Sequence, residues 1–212
     1  MKLYDYYRSS AAYRVRIALN LKGIAAERAF VHLRHGEHTQ PAYAAVNPQK
    51  FVPTLEDGAH RLTQSVAILE YLEETHPAPP LLPGDAAGRA RVRALAQVIA
   101  CDIHPLNNLR VLRHLGTALG LDEAARNGWY RHWIAEGFAA LEAMLAGHPA
   151  TGHLCHGDKP TLADLCLVPQ VYNAERFACD LSPYPTIRRI AEAARRIPAF
   201  ADAAPEKQPD AE

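Results

Sequence analysis

The sequence predicts two parts: an α/β domain, then an all-α domain. Three observations predict this division. Short strand-like runs alternate with helical patterns over the first third of the chain. A proline-rich stretch, HPAPPLLPGD at 76–85, then interrupts all regular structure, because proline removes backbone donors and fixes φ. Beyond it, apolar residues recur only at helical spacing. The expected domains are residues 1–80 and 86–212.

The elements follow in order. KLYDYY (2–7) reads as the first strand. In the next helix Ala11, Val15, Ala18 and Leu19 fall on one face at the 3.6-residue period, and Gly23 stands where a C′ glycine ends a helix. AERAFVHL reads as a second strand. The polar connection 34–50 carries one helical turn around Tyr43. FVPTLEDGAHRLT reads as two strands joined at Asp57-Gly58, a hairpin signal. QSVAILEYLEETH is a helix burying Ile68, Leu69 and Leu72.

After the linker, Val92, Leu95, Ala96, Ile99 and Ile103 form an apolar stripe, and Pro105 should kink or divide that helix. A long helix carries Tyr130, Trp133, Ile134, Phe138, Leu141 and Leu145. Thr161 with Asp164 three residues later is a capping box. It opens a helix that buries Leu162, Leu165, Cys166 and Val168. The polar tail APEKQPDAE is expected to be disordered.

Composition narrows the function. Lysine plus arginine equals aspartate plus glutamate at 23 each, which argues against a nucleic-acid binder, since phosphate neutralisation needs a basic surface. No run of about 18 apolar residues could span a membrane. MKLYDYYRSS lacks the apolar core of a signal peptide, so a cytoplasmic protein is expected. Cys101, Cys155, Cys166 and Cys179 make no CxxC pair and read as free thiols. HLRHGEH (His32, His35, His38) and GHLCHG (His153, Cys155, His156) supply no complete ligand set at recognised spacing, so no metal is expected.

The chemistry concentrates at YYRSSAAYRVRIAL (6–19). Arg8, Ser9 and Ser10 lie at the mouth of a helix, with no cysteine, histidine or acid within the turn to act as base. One serine can cap the helix, and both cannot. The other is then available for a different task. Val52-Pro53 stands where a strand should begin. It is either a plain strand-initiating proline or a cis-proline beside an open edge that could pair with an extended peptide.

These motifs resemble a known family. RSSAAYRVRIALNLKGI, NPQKFVPTL, QSVAILEYLEETHP, LLPGD, IHPLNNLRVL and LADLCLVPQVYNAERF are similar to the zeta class of cytosolic glutathione transferases over nearly the whole chain. The resemblance implies a thioredoxin-like N-terminal domain, a helical C-terminal domain and a homodimer. It implies glutathione as a cofactor that is not consumed, and a small dicarboxylate keto-acid substrate. The implied activity is cis-trans isomerisation of maleylpyruvate to fumarylpyruvate in gentisate catabolism, with maleylacetoacetate isomerisation as the alternative.

The resemblance also implies site residues. Ser9, Ser10 and Ala11 form the turn beside the glutathione sulfur. His38 contacts the glycyl end, Val52 beside Pro53 pairs with the cysteinyl part, and Gln64 with Ser65 holds the γ-glutamyl end. His104, Asn108, Leu109 and Arg110 form the helical-domain wall, and Arg176 lies on the substrate side. Arg8, Arg110 and Arg176 are the candidate carboxylate clamp, since guanidinium matches carboxylate in a two-pronged geometry. Zeta enzymes usually read SSC in this turn, and here Ala11 replaces that cysteine. If glutathione brings the thiol, the replacement is harmless. It does exclude thioredoxin-like redox work, which needs a cysteine at this helix start.

The serines would then need no base. Free thiols titrate near ~8.5, and a hydroxyl donor with a helix N-terminus favours the thiolate. Ser10 is expected to be the cap-proximal contact and Ser9 a shared candidate. Tyr4, Tyr6 and Tyr7 read as core or rim. Two other classes stay open: a glutathione-conjugating transferase, and a non-catalytic binding module on the same fold.

Overall fold

The computed structural model describes residues 1–212 and divides into two compact units, Met1–Leu81 with Arg196–Glu212, and Leu82–Arg195. The first unit is a four-stranded sheet with helices. Its elements are β1 (Lys2–Asp5), α1 (Ser10–Leu21), β2 (Glu27–Phe30), α2 (Pro41–Ala44), β3 (Thr54–Asp57), β4 (His60–Thr63) and α3 (Ser65–Thr75). The strand order is β2-β1-β3-β4. β1 runs parallel to β2 and antiparallel to β3, which pairs antiparallel with β4. Leu3 and Leu55, opposite each other in the β1–β3 register, are fully buried, as are Val15, Ile17 and Ala18 of α1 and Ile68, Leu69 and Leu72 of α3.

Local chemistry sets the element ends. α1 closes in a Schellman motif: the Ile24 N–H donates to Leu19 O at 2.9 Å, the Gly23 N–H donates to Asn20 O at 3.2 Å, and Gly23 takes φ 63°. The β3–β4 hairpin turns on Gly58-Ala59, one residue later than the Asp57-Gly58 expectation, because Asp57 still pairs with His60. β1 stops at Asp5 rather than Tyr7, because the Asp5 carboxylate takes the Tyr6 N–H at 2.8 Å and draws it out of the ladder. α1 begins at Ser10, which leaves Ala11 half-buried in the open first turn, and Ala12 takes the buried position expected of it.

The second unit is helical: α4 (Ala86–Gln97), α5 (Leu109–Thr117), α6 (Glu123–Leu145), α7 (Leu162–Arg176) and α8 (Pro185–Arg195). α4 runs into a π-helical stretch, Val98–Ile103, where the His104 N–H reaches back five residues to Ile99 O at 2.9 Å. Regular helix ends there, immediately before Pro105, as a proline requires. The apolar stripe from Val92 to Ile103 is buried throughout. The α7 capping box forms: Asp164 Oδ2 accepts from the Thr161 N–H at 2.8 Å, and Oδ1 accepts from the Cys155 N–H at 2.8 Å. Burial pushes the Asp164 carboxyl up, and these donors oppose the shift.

The tail departs from expectation. The sequence extends the helical domain to residue 212, yet Arg196–Glu212 groups with the first unit. α9 (Pro198–Ala201) and a 3₁₀ turn (Pro205–Lys207) order this segment. Its main chain meets α1 side chains: Arg16 Nε donates to Ala203 O at 3.0 Å, Tyr13 Oη to Phe200 O at 3.3 Å, and Asn20 Nδ2 to Ala199 O at 3.0 Å. Composition alone reads 204–212 as disordered because its partners, Arg28 on Gln208 and Tyr7 on Asp210, lie 180 and 203 positions away.

Candidate active site

The sheet register brings three loops to one end. Tyr4 near the end of β1 pairs with Thr54 at the start of β3, and Thr54 pairs with Thr63 at the end of β4. The segments just beyond are Arg8–Ala11, Val52-Pro53 and Gln64-Ser65. β2 is parallel to β1, so its exit, leading to His38, lies at the same end. His38 sits in a 3₁₀ turn, Glu37–Thr39, and is largely buried.

Ser9, not Ser10, is the N-cap of α1. Its Oγ accepts from the Ala12 N–H at 3.2 Å, with Ser9 in extended backbone at φ −70°, ψ 112°. That uses an acceptor site of the hydroxyl and leaves its proton for a ligand. Ser10 is the first helical residue and is buried. Arg8 is half-buried, with its Cζ 4.9 Å from the centre of the Tyr7 ring. Tyr6 and Tyr7 are buried and pack with Val31, Tyr43 and Val52, so both are core, and burial raises the Tyr6 phenol.

The Val52-Pro53 peptide is cis. β3 is paired on both sides, so the strand itself has no open edge. What lies outside the ladder is Val52, one residue ahead of the proline. Its surroundings are braced by side chains: Tyr43 Oη donates to Phe51 O at 2.5 Å, and Asn47 Nδ2 donates to the same oxygen at 2.8 Å.

Gln64 precedes α3 with φ 68° and ψ 115°, a conformation that costs a non-glycine residue roughly 1–3 kcal/mol and persists only where the surroundings impose it. It makes no side-chain cap, so the first-turn N–H groups of α3 have no capping side chain. Gln64 Nε2 donates to Gln49 Oε1 at 3.0 Å. Behind Ser65, the buried Arg14 donates from Nη1 to Ser65 Oγ at 3.1 Å. That bond uses an acceptor site of the Ser65 hydroxyl, so its proton is left to donate elsewhere, and it sets a positive charge beside the oxygen.

The sequence reading missed Arg14, Arg16 and Asp5. All three are buried, and Arg16 Nη1 meets Asp5 Oδ1 at 2.9 Å while Arg28 pairs with Asp5 Oδ2. Two arginines inside the otherwise apolar YRVRIAL were the available signal, because a charge on a core face needs a buried partner.

The predicted residues of the helical unit are placed as follows. His104 follows the π-helical stretch and is half-buried. Asn108 is the N-cap of α5, with Oδ1 accepting from the Arg110 N–H at 3.1 Å. Leu109 opens that helix, and Arg110 is exposed. Arg176 ends α7, exposed, with Cζ 4.8 Å from the Phe177 ring centre. Phe177 stacks on Tyr130 at 3.6 Å. Burial pushes the Tyr130 phenol up to about 12, opposed by Arg176.

The histidines of HLRHGEH do not gather as a trio. His32 and His35 stack at 3.6 Å, and Glu212 Oε1 lies 2.6 Å from His32 Nε2. His32 Nδ1 accepts from the His35 N–H, so the neutral ring carries its proton on Nε2 and gives it to Glu212.

A thioredoxin-like sheet followed by a helical unit, with a serine-capped turn, a cis-proline and a Gln-Ser helix start, is the layout of glutathione transferases. The family model for the glutathione S-transferase N-terminal domain matches residues 3–80. A maleylpyruvate isomerase of Ralstonia is 54% identical over 210 residues, covering 99% of both chains. A probable maleylacetoacetate isomerase of Vibrio cholerae is also 54% identical, over 99% of this chain and 97% of its own. A holo structure of a maleylpyruvate isomerase, described as a bacterial glutathione transferase of the zeta class, superposes with TM-score 0.98 at 54% identity over both entire chains. The chain belongs to the zeta class of the glutathione transferases.

Proposed function

We propose that the protein is a glutathione-dependent cis-trans isomerase of a maleyl keto acid, with maleylpyruvate as substrate and fumarylpyruvate as product. The observation that carries the reading is the serine-capped turn. Ser9 caps α1 through an acceptor site, keeps a proton to donate, and has no cysteine, histidine or acid within its turn. A hydroxyl so placed suits the stabilisation of a thiolate brought by a ligand.

Glutathione is the cofactor. Ser9 donates to its sulfur, and the N-terminus of α1 adds its dipole. Ser10 and the main chain at Ala11 border the sulfur. Val52, ahead of Pro53, pairs with the cysteinyl backbone, and His38 contacts the glycyl end. Ser65, Gln64 and the first turn of α3 take the γ-glutamyl carboxylate. His104, Asn108, Leu109 and Arg110 are assigned to the helical-domain wall. The domains then divide the work, 1–80 for glutathione and the helical part for substrate.

The thiolate adds to one carbon of the cis double bond, and that bond's electron pair moves onto the ketone as an enolate. Rotation about the resulting single bond is cheap. The enolate pair returns, the carbon–sulfur bond breaks, and the trans isomer leaves with glutathione regenerated. Arg8, Arg110 and Arg176 hold the carboxylates and offset the charge that develops in the enolate. Ala11 is compatible with this, because the reacting sulfur is not the protein's.

Maleylacetoacetate is the second reading, favoured by the equally similar Vibrio relative. Arg110, exposed at the start of α5, stands where many zeta relatives have a smaller residue, and that family resemblance favours the shorter diacid. A cytoplasmic homodimer is the assembly that the family resemblance supports, and no helix is long and apolar enough to cross a membrane. The test is turnover of both substrates with and without glutathione. Turnover that requires glutathione and leaves its thiol titre unchanged supports the isomerase. Net thiol loss would mean a conjugating transferase, and no turnover with glutathione still bound would mean a binding module.

A further inference from the structure

The turn that carries Arg8 and Ser9 is built on the dipeptide Tyr6-Tyr7, and each main-chain polar group of that dipeptide is held. The Tyr6 N–H donates to Asp5 Oδ1 at 2.8 Å, and Tyr6 O accepts from the Ser9 N–H at 2.9 Å. Tyr7 O accepts from Arg16 Nη2 at 2.9 Å. Those three bonds come from β1, the turn and α1. The fourth comes from the other end of the chain: the Tyr7 N–H donates to Asp210 Oδ2 at 2.9 Å, across 203 positions.

Asp210 is itself bracketed. Gln208 Oε1 accepts from both terminal nitrogens of Arg28, at 3.2 and 3.3 Å, and its Nε2 donates to Asp202 O and Ala204 O at 3.0 and 2.8 Å. On the other side Glu212 Oε1 meets His32 Nε2 at 2.6 Å. The carboxylate is thus presented to Tyr7 by a segment tied down before and after it.

We propose that Asp210 is a positioning residue for the thiolate. By fixing the Tyr7 amide it fixes the plane of the turn, and through it the Ser9 hydroxyl two residues on. A hydroxyl donor stabilises a thiolate only when held at hydrogen-bond distance, and a displacement near 1 Å forfeits most of the effect. The C-terminal segment is therefore part of the catalytic framework, although it carries no reacting group. The inference rests on the reading of Ser9 as the sulfur's donor.

The experiment measures the pKa of glutathione bound to the full-length protein, by thiolate ultraviolet absorbance, together with kcat, KM and Tm. Asp210→Ala is expected to raise the bound-thiol pKa and lower kcat about 5- to 10-fold, the range of one lost hydrogen bond, with substrate KM nearly unchanged. Asp210→Asn keeps a carbonyl acceptor and is expected to restore both. Lys207→Ala, an exposed tail side chain paired only with Asp202, is expected to behave as the parent. Should Asp210→Ala not fold, Asp210→Ser, too short to reach Tyr7, should show the same shift. A bound-thiol pKa unmoved in Asp210→Ala and Asp210→Ser, or a kcat loss that asparagine does not restore, overturns the proposal. Ser9→Ala separates it from the underlying reading. A shift in Ser9→Ala without one in Asp210→Ala sinks only the role of Asp210. No shift in either sinks the role of Ser9 as well.

Discussion

Ser9 caps α1 and is the proposed donor to the glutathione sulfur, and the two roles separate experimentally. As N-cap it contributes about 1 kcal/mol to α1, and as a donor to a charged sulfur it is worth roughly 1.5–3 kcal/mol. Ser9→Ala should therefore lower kcat about 10- to 100-fold, while Tm falls only as a lost cap requires. Ser9→Asn, which caps equally well, should recover the Tm and not the rate. Ala11→Cys should leave turnover unchanged, since the substituted sulfur has no step to perform. Arg176→Ala should raise the substrate KM or lower kcat, with Arg176→Lys recovering part, because lysine keeps the charge and loses the fork. Unchanged kinetics in Arg176→Ala would remove it from the clamp.

Helix ends and buried pairs hold the elements in place. Asp85 caps α4 by accepting from the Gly88 N–H at 2.7 Å, and that bond holds its carboxyl below the ordinary carboxylate value. A lowered folded-state pKa contributes stability that is present above the unfolded value near 3.8 and is lost as pH falls through the folded one. The Tm gap between the parent and Asp85→Ala should accordingly be largest near neutrality and close in strong acid. A gap independent of pH would refute the capping account. Within the first unit, Asp5→Ala should be far costlier, about 3–5 kcal/mol, because the buried Arg16 would be left without its carboxylate and the half-buried Arg28 would lose its partner too. Denaturant unfolding reads this as a lowered midpoint at constant slope. Thiol chemistry tests the packing of the second unit. Burial pushes the Cys155 thiol well above its ordinary value, whereas Cys101 is exposed, so alkylating reagents at neutral pH should take Cys101 and spare Cys155 until the chain unfolds.

For the molecule as a whole, glutathione should act as a stabilising ligand. At a hundredfold excess over its Kd, binding to the folded state alone adds about 2.7 kcal/mol, which appears as a concentration-dependent rise in Tm. An analogue lacking the γ-glutamyl carboxylate should stabilise less, and the deficit should shrink in Ser65→Ala. Glutathione that leaves Tm unmoved at any concentration would count against the cofactor assignment.

Much of this could be read from residues alone. Hydrophobic period, the Gly23 stop, the Asp57-Gly58 hairpin signal and the Thr161–Asp164 box are all local, and local chemistry survives in any context. The serine turn, Val52-Pro53 and Gln64-Ser65 were likewise legible as motifs. Three things were not. The choice of Ser9 over Ser10 as cap depends on where α1 begins, a matter of one residue in backbone conformation. The buried charges of Asp5, Arg14 and Arg16 find partners on other elements, Arg14 on α3 and Arg16 on the β1 carboxylate and the tail carbonyl of Ala203. The order of the tail comes from partners far away in the chain, such as Tyr7 on Asp210, 203 positions away, and Arg28 on Gln208. Residues near in the chain announce their interactions by spacing. Residues far apart meet only because the sheet register and helix packing bring them together, and no spacing records that.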